Sequence, residues 1–181
     1  MTKMFHTLWQ RLRAARRSEA GNATVEFVMV FPIFMMIFFQ SFEAGWLMIR
    51  NTMLERALDL TVRDLRLGHF TNPTNATIRT EICSYAITIA NCSTSLLVEL
   101  TPVDTATWAM PSTSATCVNR SATIQPVTTV QQGAGDQMML IRVCAIVDPL
   151  FPGTSWGLNL PLDSTGGFAL IATSAFVNEP S

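Results

Sequence analysis

Two acids and four cysteines carry most of the chemistry this sequence can do. Glu26 stands at the edge of an apolar run: Phe27 to Phe39 is thirteen residues without a polar side chain, and the run resumes after Gln40 to reach Ile49. An unpaired carboxylate in hydrocarbon costs roughly 2.5 kcal/mol or more, so Glu26 calls for a cationic partner. A cut after Gly21 supplies one, because the new α-amino group at Asn22 lies four residues away, one helical turn. That amine can pair with Glu26 of its own chain or with the Glu26 of a neighbour, and the second arrangement fixes the register of two subunits. The alternative is a helix-start glutamate favoured by the macrodipole, which needs no second chain. Glu43 is the other acid in the run, near its far end; it either snorkels to an interface or meets a basic group on a partner.

The cysteines are Cys83, Cys92, Cys117 and Cys144, separated by nine, twenty-five and twenty-seven residues. No pair has the C-x2–4-C spacing of a structural zinc site, so no metal is expected. An even number in an oxidising compartment predicts two disulfides, and three connectivities are open. Cys83–Cys92 with Cys117–Cys144 is favoured, the first closing a short loop and the second stapling distant strands; four buried thiols are the alternative. Catalysis has little to work with. The histidines are His6 and His69, there is no G-x-S-x-G turn, and Gly133-Ala-Gly135 reads as a turn ahead of a strand rather than a phosphate loop. No enzyme and no cofactor are expected.

Charge is distributed to set topology. Lys3, Arg11, Arg13, Arg16 and Arg17 are five of twelve basic residues, all in the first seventeen positions. Positive residues stay on the cytoplasmic side of a membrane, which sends everything after Ile49 across it. Beyond residue 21, seven arginines face twelve acids and no lysine remains, so the balance is about −5 and nucleic acid is not an expected partner. The 23 residues from Phe27 to Ile49 exceed the roughly 7–15 residues of a secretory h-region. At 1.5 Å per residue they span about 34 Å, enough for a bilayer core of about 30 Å.

Gly21, Glu26 and Phe27, with the apolar helix after them, resemble the pilins and pseudopilins cut by prepilin peptidase. The form G-x-x-x-x-E-F running on into Val-Met-Val-Phe-Pro32 is similar to the TadE/TadF family of tight-adherence (Flp-type) pilus systems. Ala172–Pro180, ending Asn-Glu-Pro, and Gly135–Val143 resemble the closing strands of many TadE-like chains. The resemblance implies processing between Gly21 and Asn22, with Glu26 and Phe27 engaged in assembly. Its implied partners are prepilin peptidase, the major Flp-type pilin, a second pseudopilin, the inner-membrane pilus platform and the membrane itself. The implied role is priming or capping a pilus, from a bacterial inner membrane with the head in the periplasm, or outside the cell within a pilus. An uncleaved signal-anchored envelope protein with a ligand- or partner-binding head is the competing reading.

The elements that must position these residues follow from periodicity. Residues 1–21 form the leader, 22–69 a membrane and stalk helix, and 70–181 an α+β head, disulfide-bonded and built on an antiparallel sheet. Within the helix, 23–67, Leu47, Leu54, Leu58, Thr61 and Leu65 recur at helical spacing, and Asp59 and Arg63 can pair at i,i+4. Pro32 removes a donor and predicts a kinked or loosened turn, while Ser41 and Gly45 are small residues that admit close helix approach. Gly68 and Pro73 mark the helix end. A short helix is predicted at 74–89, with strands at 95–103, 138–148 and 168–177. Residues 123–130 make a fourth candidate that Pro126 demotes to an edge. Asn75, Asn91 and Asn119 lie in Asn-x-Ser/Thr triplets and are expected on surface loops.

Overall fold

The computed structural model describes residues 22–70, 72–108, 114–151, 153 and 162–179. Gly21 and the leader lie outside the described residues, as does Pro180. A 45-residue helix, α1 (Asn22–Arg66), runs without interruption through Pro32. The chain divides into two compact units between Phe42 and Glu43, so the two parts of α1 belong to different units.

In the first unit almost every side chain from Ala23 to Phe42 is exposed, and most of them are apolar. The helix holds by its own backbone hydrogen bonds, which is what hydrocarbon requires. Pro32 leaves the Val28 carbonyl without its usual donor. Phe27 stacks on Phe31 one turn away, with ring centroids 5.0 Å apart. Ser41 satisfies its hydroxyl by donating to the Ile37 carbonyl at 2.9 Å. Among the described residues this is the one helix long and apolar enough to cross a membrane.

In the second unit α1 becomes amphipathic and enters the core. Leu47, Leu54, Leu58 and Thr61 are buried, as the spacing predicts, and Leu65 packs against the cluster from its margin. Thr61 answers its buried hydroxyl by donating to Ala57 at 2.9 Å. The helix closes as a Schellman turn: Gly68 takes φ +70, its N–H reaches the Leu65 carbonyl, and the His69 N–H reaches Asp64. Asp59 and Arg63 remain exposed and form no ion pair, because neither gains by leaving water; Arg66 instead meets Glu179 at 3.6 Å.

Helix α2 (Asn75–Tyr85) starts on a capping box between Thr74 and Thr77 and buries Ile78 and Ile82. It ends four residues short of the predicted Ile89. Residues 86–91 fold into a turn, with Asn91 left-handed at φ 51, and this returns the chain so that Cys92 meets Cys83. The single-turn helix α3 (Cys92–Ser95) leads into β1 (Leu96–Pro102), followed by β2 (Met138–Val147) and β3 (Phe168–Val177). The three form an antiparallel sheet in the order β1-β2-β3. One face supplies Val98, Leu100, Ile141, Val143, Phe168 and Ala172 to the core shared with α1 and α2. The other carries a smaller cluster of Leu97, Val118, Cys144 and Ile146. Central β2 is covered on both faces, which is why its sequence reads as an apolar run broken only by Arg142. On the outer face Glu99 and Arg142, directly opposite in register, form an ion pair at 2.8 Å.

Residues 123–130 are not a strand. Pro126 interrupts them, and contact with the edge of β1 reduces to one bridge, Val130 to Leu100, with hydrogen bonds of 2.9 Å on either side. The cysteines pair as Cys83–Cys92 and Cys117–Cys144, with Cα separations of 5.7 and 5.1 Å. The second bridge ties an irregular segment to β2 rather than one strand to another.

Candidate assembly helix and head clamp

Glu26 is exposed on the first turns of α1, and among the described residues its carboxylate accepts no hydrogen bond. Phe27 is exposed beside it, held by the stack with Phe31. The backbone of Asn22 opens the helix, so a chain cut before it would present its α-amine one turn from Glu26. Gly21, the other half of the expected processing site, is outside the described residues.

Glu43 has the opposite environment. It is 0 % exposed, and its carboxylate accepts from the backbone N–H of Leu150 at 2.9 and 3.0 Å and of Phe151 at 2.9 Å. Neither snorkelling nor a basic partner chain is needed: the head's own backbone satisfies it. Two turns further on, the Arg50 guanidinium lies 5.3 Å from the centre of the Trp46 ring and donates to the Asp148 carbonyl at 2.8 Å. The start of the segment after β2 is thus fixed to α1 by three backbone groups.

Its far end is fixed too. Arg120 reaches the Asp148 carboxylate at 2.6 Å and Asp163 at 3.2 Å. Partial burial pushes the Asp163 carboxyl up, but the Gly167 N–H, Arg120 and the Thr165 hydroxyl and N–H outweigh it and hold its pKa at about 2. A side chain at Gly167 would run into Arg120 and Ile146, so glycine is required there for close approach. A cavity of about 330 Å³ lies between Arg50, Asn91, Arg120 and Asp148, yet both arginines are already committed to the groups just named.

The chain's closing residues knit onto the turn before β2. The Asn178 N–H donates to the Gln137 carbonyl at 3.1 Å, and its side chain donates to Ala134 at 3.3 Å. Among the triplet asparagines, Asn75 is half-buried with its amide donating to Val98 and Thr128, whereas Asn91 and Asn119 are exposed. His69 sits beside Asp64 at 3.1 Å on the surface. Among the described residues, no three His, Cys, Asp or Glu side chains gather where a metal could be held.

Compared with known protein families, residues 21–63 match the family model described as TadE-like protein. The resemblance read from Gly21, Glu26 and Phe27 is therefore borne out over that span, about a quarter of the chain. The match associates the protein with Tad pilus systems. No curated protein and no solved structure matches the chain significantly. The match begins at the glycine of the expected cleavage site and ends inside the amphipathic part of α1, so the head's sheet is not what carries the relationship.

The acid-on-amide clamp is what sequence reasoning missed. Glu43 stood out as an acid in an apolar run, but its partners are backbone donors. Every residue except proline carries one, and no residue type marks the two that were used.

Proposed function

We propose that this protein is a minor pilin, or pseudopilin, of a tight-adherence pilus. It enters the inner membrane with its basic leader in the cytoplasm and its head in the periplasm, and prepilin peptidase cuts it after Gly21. It then primes or caps a filament made of the major Flp-type pilin, together with a second pseudopilin and the inner-membrane platform. The observation that carries this reading is the TadE-like match that starts at Gly21 and continues into an exposed apolar helix. Glu26, for which no hydrogen-bond partner stands among the described residues, supports it: a carboxylate beside an apolar, lipid-facing surface gains from a nearby cation. In a neighbouring cleaved subunit, the Asn22 amine is such a cation.

The test is the intact mass of the membrane-fraction protein without reductant. A chain beginning at Asn22 is expected. A chain that keeps residues 1–21 in cells with active peptidase would refute processing and favour the uncleaved envelope anchor. Glu26→Gln should leave cleavage and insertion unchanged and sharply reduce piliation; normal piliation would remove the register role.

A further inference from the structure

Glu43 is the residue after Phe42, where the almost wholly exposed stretch of α1 ends. Phe27 to Trp46 spans about 30 Å at 1.5 Å per residue, the thickness of a bilayer's hydrocarbon core, with Glu26 at its edge. Apolar exposure does not stop there. Within the head unit, Met48 is 72 % and Ile49 51 % exposed, and Leu150, whose N–H is held by Glu43, is 45 % exposed. Counted to Ile49, the run spans about 34 Å, so its last residues reach the boundary between that core and the headgroup layer. Trp46 and Arg50, an aromatic ring and a guanidinium in contact, stand at that boundary, and such residues favour the headgroup layer. Pro149 to Gly153 carries no charge.

We infer that the base of the head is seated in the lipid interface, with Leu150, Met48 and Ile49 immersed at the boundary between hydrocarbon and headgroups. A bilayer of phosphatidylethanolamine and phosphatidylglycerol is the probe for this surface. The turn at 148–151 screens Glu43 with its own amides, so an acid lies at this depth without meeting hydrocarbon. The inference rests on the membrane-inserted reading proposed above and adds the depth of the head to it.

The full chain, reconstituted without reductant in vesicles of those two lipids, provides the test. The four native cysteines are paired, so an added cysteine takes an environment-sensitive fluorophore by itself. Labels at Leu150→Cys and Ile49→Cys should emit to the blue and lose intensity to a nitroxide carried near the lipid headgroup. A label at Phe34→Cys should lose it to a nitroxide deep in the acyl chain. Val127→Cys, on a residue 97 % exposed, should lose none. Quenching at 34 with positions 49 and 150 behaving like 127 overturns the inference and leaves membrane insertion standing. No quenching at 34 overturns membrane insertion and the inference with it. Should Leu150→Cys disturb the clamp, Ile49→Cys decides alone.

Discussion

Glu26 and Glu43 sit on one helix, seventeen positions apart, and the fold treats them in opposite ways. Glu43 is enclosed, with every contact supplied by its own chain; Glu26 is exposed and unmatched among the described residues. The contrast extends to the parts of α1 that carry them. From Glu43 onward the helix contributes Leu54, Ala57 and Leu58 to the core, whereas from Ala23 to Phe42 it offers its apolar side chains to the surroundings. One part is finished by folding. The other is finished only by what the chain is placed in.

That contrast breaks most readily in the core. Leu54→Ala should destabilise the head by about 2–5 kcal/mol, since a fully buried leucine leaves a cavity. Phe34→Ala should leave the head's unfolding midpoint unchanged in detergent. Equal effects in denaturant titrations of the two variants would dissolve the distinction between the two parts of the helix.

Losing the Cys117–Cys144 bridge by paired serine substitution should cost about 3.5 kcal/mol for its 27-residue separation. Losing Cys83–Cys92, nine residues apart, should cost about 2.5 kcal/mol. The same titrations report whether the longer closure matters more.

Glu43→Ala sharpens the comparison of the two acids. It strands the Leu150 and Phe151 donors, at about 1–3 kcal/mol for each one left unsatisfied. Glu26→Ala should not alter head stability at all. Hydrogen exchange at Leu150 and Phe151 should accelerate in the first variant and stay unchanged in the second.

The smallest effect concerns pH. Asp163 has a folded pKa of about 2, below the unfolded value of about 3.9, so the unfolded chain binds its proton first as acid is added. Its contribution is therefore complete above about pH 4 and is lost as pH falls toward 2. Asp163→Asn should flatten the acid limb of the stability curve in that window; an unchanged limb would show that Arg120 and Gly167 do not hold the carboxylate in solution.

Much of the fold was legible because burial imposes periodicity. Leu47, Leu54, Leu58 and Thr61 sit at the spacing of one helix face, and β3 begins and ends where its apolar run does. The errors fall where periodicity is silent. Helix α2 stops at Tyr85 because the chain must turn back to bring Cys92 to Cys83, and residues 123–130 lack the partners that would make them a strand. At the candidate site, Gly21, Glu26 and Phe27 could be picked out because the pattern on which the TadE-like match begins is local in sequence.

The sequence alone settled the parts of this protein that answer to a solvent or to a short linear pattern. These are the apolar helix, the charge asymmetry around it and the glutamate at its edge. Only the tertiary structure decided which acid is spent inside the fold. Glu43 is satisfied by amides 107 and 108 positions away, and backbone donors carry no identity that a sequence could display.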